Sequence, residues 1–494
     1  MKRSLPTLVA TALVATTISA GALPAFAQPS TPLATNFTLV NMGNGQAQVV
    51  VNYYQTNGSP WGNGPETVVL PGAGSQAIFR QYYPPGSQGN PNLTPGRGSV
   101  VVSSDQPLAA VVQIRPADFS STWANGAYSG LTQGARRFFV PLVAKQLGTA
   151  SGIANSQIVV QNLGSVASTA VITLVNTDAT VQKSFTTSPI QPGASLYYDL
   201  REDQDVNDGW YGSAVVEGTS ANVGVVSNFF TGFAMQTFNA FPETALATQW
   251  FVPLFTYRLS NGLSTPIAIQ NLSGTQIPQG EIQLRCKPGA GSPGAAFTAK
   301  NTTPVGNSAS YFFNPVTGAG FDVSVPNGFY GSCTVSAPVN VVVFVQMRFV
   351  TGNPNTEEAA AYEAFPQNTT STSAFIPLVA KRLGNGFATV VTIQNLDLNN
   401  SATITVTYQP GSGSPSWSGT IVFNNVGPGE GVIQNHRLPS GVNAVPDMPS
   451  GWFGTMRVES DRPIASFVQL TYLKSINPNL PNGDFFAAHN AFGQ

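Results

Sequence analysis

The sequence predicts an all-β chain, with four tandem antiparallel β-sandwich domains behind a secretory signal peptide. Three observations carry that expectation. The same blocks return four times, at intervals of about 109 to 124 residues. Within several blocks apolar and polar residues alternate with a period of two, the side-chain period of a half-buried strand. Ahead of them stand a basic start, an apolar run and a small-residue site, in the order of an export leader.

The leader comes first in the chain. Met1-Lys2-Arg3 is the basic start, and Leu5 to Ala20 is the apolar run. Ala25 and Ala27 supply the small-residue site, so cleavage is expected after Ala27 and residues 1–27 are read as signal peptide. The run is short for a membrane span, and no later stretch reaches the length a spanning helix needs. Any attachment of the mature chain to a cell is therefore expected through noncovalent contacts or a partner.

Composition narrows the class. The 494 residues carry 21 basic and 22 acidic side chains, a net charge of −1. That balance gives no field for nucleic acid or an anionic membrane. Only 9% of residues are charged, against roughly 25% in ordinary domains. With 42% hydrophobic residues the chain is not disordered by composition. Charged helix formers are scarce, while Val, Ile, Thr and aromatics are plentiful, which favours strands.

The repeat gives the organisation. Phe139-Val140-Pro141-Leu142-Val143-Ala144-Lys145 returns at Phe251 to Phe255 and at Phe375 to Lys381. A second block ends in Gln161-Asn162-Leu163, Gln270-Asn271-Leu272 and Gln394-Asn395-Leu396, with a weaker first copy at Phe37 to Met42. Later blocks are a Pro-Gly turn, a loop such as Gly209-Trp210-Tyr211-Gly212-Ser213, and an apolar strand such as Val341 to Met347. Three copies close on Asn239-Ala240-Phe241, Glu363-Ala364-Phe365 and Asn490-Ala491-Phe492. The domains are placed at 28–134, 135–247, 248–372 and 373–494. The first copy starts abruptly: Thr31-Pro32-Leu33-Ala34 looks like a remnant of the Val-Pro-Leu-Val-Ala strand, only nine residues before Asn41. A missing or shortened first strand there predicts a sheet edge open to strand addition.

About seven strands in some 115 residues fit an aligned two-sheet sandwich of the immunoglobulin-like kind. The blocks resemble the repeated Ig-like modules of secreted bacterial surface and envelope proteins, with repeats of the Chloroflexota type. The resemblance spans the whole mature chain and brings no catalytic motif. It implies an extracellular scaffold or adhesive role, by analogy of fold.

The residues that carry chemistry are few. Cys286 and Cys333 fall in expected strands of one copy, and export is compatible with their oxidation, so a disulfide is expected. Asp203, Asp205 and Asn207 have the alternate spacing of a calcium loop, but Asp208 stands where the loop needs Gly and Ala214 where it needs Glu. The competing reading is a solvated connection. Trp61 and Trp417 follow Gly-Ser-Pro segments in matching hairpin loops. An exposed ring there stacks on a sugar or partner; the bland alternative, and the favoured one, is a ring folded back on its own domain. Trp210, Phe329 and Trp452 share one repeat position and read as core. His436 and His489 are the only histidines, and no Gly-x-Ser-x-Gly, His-Glu-x-x-His or P-loop motif occurs. An enzyme is not expected, nor is a resident cofactor beyond that possible calcium ion. The expected role is a secreted structural or adhesive envelope protein forming extended particles at the cell surface. Its partners would be other envelope proteins, further copies of itself or surface glycans. The alternative is a carbohydrate- or ligand-binding extracellular protein.

Overall fold

The computed structural model describes residues 33–72, 76–79, 81, 93–116, 124–149, 152–351 and 357–493. The expected leader lies outside them. Among the described residues the only helical elements are two single 3-10 turns, Leu200–Glu202 and Glu243–Ala245. The rest of the regular structure is strand, in antiparallel sheets.

The second repeat shows the plan. One sheet runs, in spatial order, Val181–Thr186, Ala170–Asn176, Trp210–Gly218, Arg137–Lys145 and Phe241–Pro242. The other runs Ser195–Asp199, Gly152–Asn162, Val223–Thr231 and Ala234–Asn239. Alternate residues of both bury one core, including Val140, Ile158, Val160, Ile172, Leu174, Val216 and Val225. The fourth repeat has the same two orders. In the third, one 21-residue strand, Phe329–Phe349, runs through both layers and joins them into a nine-stranded sheet. The second repeat breaks that strand at Gly218 with a turn to Val223.

The repeated blocks have local physical causes. Asn41, Asn162, Asn271 and Asn395 are fully buried and clamp turns. Asn162 Nδ2 donates to the carbonyls of Val166 (2.7 Å) and Ile190 (2.8 Å), while its Oδ1 accepts the Gly164 N–H. Asn395 repeats this with Asn400, Val426 and Asp397. The proline of the Val-Pro-Leu strand sits at a bulge, where pairing skips from Ala214–Val140 to Gly212–Val143. The same skip recurs at Pro253 and Pro377. A bulge tolerates the missing N–H that a regular ladder does not. Gly98, Gly212, Gly331 and Gly454 meet the carbonyls of Tyr54, Val175, Lys287 and Gln409 so closely that a Cβ has no room. That approach explains the Gly-Ser and Gly-Thr pairs of the block.

Among the described residues the second sheet of the first repeat holds Glu66–Leu70, Ala47–Gln55 and Gly98–Ser104. Leu33 and Ala34 pair with Pro116 and Arg115, at the start of the strand Leu33–Asn41. They therefore belong to the strand that ends in the buried Asn, which corrects their reading as a remnant of the Val-Pro-Leu strand; Thr31 and Pro32 lie outside the described residues.

The expected extended particle is also corrected. One late strand of each repeat, Gly126–Ser129, Ala234–Asn239, Glu358–Glu363 and Phe486–Asn490, is the edge of its sheet. These four edges pack on one another in chain order, and the fourth packs on the first. An exposed edge invites aggregation, and here four edges cover each other. Phe238 lies on Phe344 (centroids 4.0 Å) and Tyr362 stacks on Phe467 (4.1 Å), each pair joining one repeat to the next. Seams farther from the axis repeat as well. Gln161, Gln270 and Gln394 each donate to a backbone carbonyl of the preceding repeat, at Val100, Ala214 and Cys333. Ser99, Ser213 and Ser332 donate back to Gly193, Ser308 and Gly429. The corresponding residue of the first repeat is Val40, fully buried.

Candidate functional site

A group of buried and half-buried ionisable residues lies where the four edges meet. Ser129, Asn239, Glu363 and Asn490 hold one position in the four inner strands, and hydrogen bonds link them in a circuit. Asn239 Nδ2 donates to the Ser129 carbonyl (2.9 Å), and the Asn239 N–H donates to Glu363 Oε1 (2.7 Å). Asn490 Nδ2 donates to the Glu363 carbonyl (2.9 Å), and Ser129 Oγ donates to the Asn490 carbonyl (3.0 Å). Burial pushes Glu363 up to about 7, only partly offset by the Asn239 N–H.

A second carboxyl closes the other end. Asp484 accepts the N–H groups of Met235 (2.8 Å), Ala359 (3.1 Å) and Phe486 (3.1 Å), so it caps edges of the second, third and fourth repeats. Burial holds it well above the usual carboxylate range, against the pull of those donors and with Glu358 adding to the rise. Glu358 is itself pushed up to about 7 by burial, with Arg437 and Lys474 opposing. His489, at the position of Phe238 and Tyr362, is buried and pushed down to about 4, and its Nδ1 faces the Asn490 carbonyl at 2.9 Å.

The residues singled out from sequence are scattered around this joint. Cys286 and Cys333 form a disulfide between directly paired strands, with Cα atoms 4.1 Å apart. Trp61 is half-buried, packs on the first-repeat core and sends its Nε1–H to Thr94 Oγ1 at 3.3 Å. Trp417 lies edge-on to Trp452 at 5.7 Å and near Tyr408 at 5.6 Å, packed on the fourth-repeat core. Both rings are turned onto their own repeats. Trp452 and Phe329 are fully buried; Trp210 is half-buried and donates to Asn176 Oδ1 at 2.6 Å.

The acidic loop is organised around lysines. Lys183 Nζ donates to both Asp203 oxygens (2.8 and 2.7 Å) and to Asp205 Oδ2 (2.8 Å). Asp203 also accepts the Tyr198 hydroxyl and the Asp205 N–H. Against a burial penalty, Lys183 holds Asp203 below the usual range. Lys145, the last residue of its Val-Pro-Leu strand, reaches the Asp203 and Val206 carbonyls at 2.6 and 2.7 Å. Asn207 is exposed and its carbonyl takes the Trp210 N–H at 3.3 Å. A calcium ion on Asp203 and Asp205 would have to displace the Lys183 ammonium. Among the described residues no group of three or more His, Cys, Asp and Glu side chains is placed to hold a metal.

His436 is fully buried, its Nδ1 near Thr389 and its Nε2 near the Tyr408 hydroxyl (3.1 Å each). Burial pushes it down to about 3, a neutral structural imidazole at ordinary pH. No helix among the described residues is long and apolar enough to cross a membrane.

Sequence reading missed Glu358, Glu363 and Asp484. One signal for Glu363 was in view: the closing triplets read Asn-Ala-Phe twice and Glu-Ala-Phe once. A charged residue at a position held by neutral Asn in two other copies, in a largely buried strand, marks a special environment.

No family model matches the chain, and no curated protein matches it. Among solved structures it is similar to that of Thermotoga maritima 1070, at 18% identity, TM-score 0.20, covering 23% of this chain and 97% of that one. It is also similar to Escherichia coli alpha-2-macroglobulin activated by porcine elastase, at 9% identity and TM-score 0.10, covering 93% of this chain and 43% of that one.

Proposed function

We propose that this protein is a secreted structural or adhesive component of a cell envelope, built from four tandem Ig-like sandwich domains joined around one axis. The observation that carries the reading is the circuit through Ser129, Asn239, Glu363 and Asn490, which draws on every repeat. Glu363 and Asp484, whose titration burial shifts upward, are engaged in capping strand edges within the fold. Residues of that kind serve construction. Low charge and abundant Ser, Thr, Asn and Gly suit a chain whose outer faces meet neighbouring molecules or glycans. Electron microscopy of the native cell surface with a specific antibody tests this: surface label is expected, and label confined to the cell interior refutes it.

A ligand-binding role is the second reading. It is favoured by a cleft of about 240 Å³ where the fourth repeat meets the first, lined by Arg115, Asn385, Tyr472, Asn477 and Asn479. Amides, an aromatic and a guanidinium are the groups that hydrogen-bond and stack on sugars. A glycan array with the Asn477→Ala variant as control distinguishes the two roles.

A further inference from the structure

The seam between the fourth repeat and the first differs from the other three. These two repeats adjoin at the axis but are not consecutive in the chain: Ser129 Oγ meets the Asn490 carbonyl at 3.0 Å across 361 residues. At the other seams a Gln and a Ser reach backbone carbonyls of the neighbouring repeat. Here the corresponding residues are Val40, which has no polar side-chain atom, and Thr455, half-buried where Ser99, Ser213 and Ser332 are buried. The seam is instead crossed by Tyr472, whose hydroxyl hydrogen-bonds to the side chains of Gln113 and Arg115.

The cleft beside that tyrosine is built by a long loop. In the second repeat the hairpin that forms the axial edge turns at Gly232 and Phe233, between Thr231 and Ala234. In the fourth, residues 473–485 separate the equivalent strands Ile464–Tyr472 and Phe486–Asn490. Loops this long without secondary structure of their own are usually functional. This one is held in shape. The Ile476 and Asn477 N–H groups both reach the Leu473 carbonyl (3.0 Å each), and the Leu480 N–H reaches the Asn477 carbonyl (3.3 Å). Asn477 Nδ2 donates to the Asn385 carbonyl (3.3 Å), and its Oδ1 accepts the Asn479 N–H (3.2 Å). Asn385 Oδ1 accepts the Phe387 N–H (3.0 Å), and the Phe387 ring lies 5.1 Å from that of Tyr472. At the far end of the loop stands Asp484, which accepts N–H groups from three repeats. One loop thus lines the cleft and clasps the axial joint.

We propose that this cleft takes one neutral sugar ring and that the bound sugar tightens the joint of the four repeats. The inference rests on the ligand-binding reading given above. The volume of about 240 Å³ lies below the roughly 300–1,000 Å³ of drug-sized pockets, which suits one ring rather than an oligosaccharide. Asn385, Asn477 and Asn479 bring amides, and an amide offers both a donor and an acceptor, as each sugar hydroxyl does; a carboxylate needs donors alone. Tyr472 and Leu480 bring apolar surface for the C–H face of the ring. The coupling follows from where the walls come from. Arg115 belongs to the first repeat and the other lining residues to the fourth, so the complete cleft exists only while the seam is closed. A ligand that needs the closed form shifts the population toward it, and closure raises the affinity in return.

Methyl glycosides of neutral hexoses, with a methyl glucuronide beside them, are to be titrated into the full chain and followed by saturation-transfer NMR. A neutral hexoside is expected to bind. Asn479→Ala, at an exposed position whose backbone bond to Asn477 is kept, is expected to weaken it about fivefold, the loss of one hydrogen bond. With free hexoside at about ten times its Kd, amide exchange of Met235 and Ala359 is expected to slow about tenfold, because opening must then release the sugar. A hexoside that binds through Asn479 but leaves those amides unchanged overturns the coupling, while the ligand-binding reading stands. Preference for the glucuronide, or binding that Asn479→Ala does not alter, overturns the assignment of the cleft. If no hexoside binds, the inference falls, and the glycan array decides the broader reading by itself.

Discussion

Glu363→Gln is the sharpest test of the axial joint. Glu363 is half-buried at the joint, accepts the Asn239 N–H and is pushed by burial from 4.5 up to about 7. The folded state therefore binds this proton more tightly than the unfolded chain does. Stability drawn from the protonated carboxyl is complete below about pH 4.5 and is lost as pH rises to about 7. At about 1.4 kcal/mol per pH unit, that is about 3 kcal/mol lost across the window. Glutamine has nearly the same shape, keeps an oxygen for Asn239 and never ionises. The variant should match the native protein near pH 4.5 and exceed it by about 3 kcal/mol at pH 8. Urea denaturation followed by tryptophan fluorescence, repeated from pH 4.5 to 8.5, measures this. Glu358, also pushed up to about 7, titrates in the same window, so the variant should retain part of the slope. Native and variant curves that run parallel over the whole range would show that Glu363 does not ionise at the joint, and the reasoning would fail.

Other consequences follow from single contacts. Asn395→Ala removes a buried side chain that donates to Asn400 and Val426 and accepts the Asp397 N–H; a loss of about 2 kcal/mol is expected by chemical denaturation. Reducing Cys286–Cys333, which closes a separation of 47 residues, should cost the third repeat about 4 kcal/mol by loop-closure entropy, read as earlier exposure of that repeat to protease. Lys183→Met strands the Asp203 carboxylate and should destabilise the second repeat by about 2 kcal/mol, discounted because the lysine is partly exposed. Millimolar calcium should leave the native melting temperature unchanged while Lys183 occupies both aspartates; a rise of several degrees would show that the ion displaces it.

The sequence by itself determined what is local. Alternation, turn residues and four returning blocks specify strands, because a side-chain period of two and the steric demands of Gly and Pro act within a few residues. It also paired the two cysteines, since only one repeat holds them. The tertiary structure decided what depends on distant partners. Asn162, Asn271 and Asn395 were visible as a motif, but only the fold shows that they clamp turns while the adjoining glutamines bind the preceding repeat. Asp203 and Asp205 had the spacing of metal ligands, yet Lys183, 20 residues earlier in the chain, takes their charge. Trp61 and Trp417 sit in hairpin loops, and the direction of each ring was set by the core it folds onto. Glu358 and Asp484 were unremarkable in the chain, and Glu363 stood out only as the odd member of its triplet, because burial shifts a carboxyl only after other strands have excluded water. Asp484 is 249 residues from Met235, whose N–H it accepts. Local rules fix which residues become strands, while the meeting of four edges at one axis depends on surfaces that exist only once each repeat has folded.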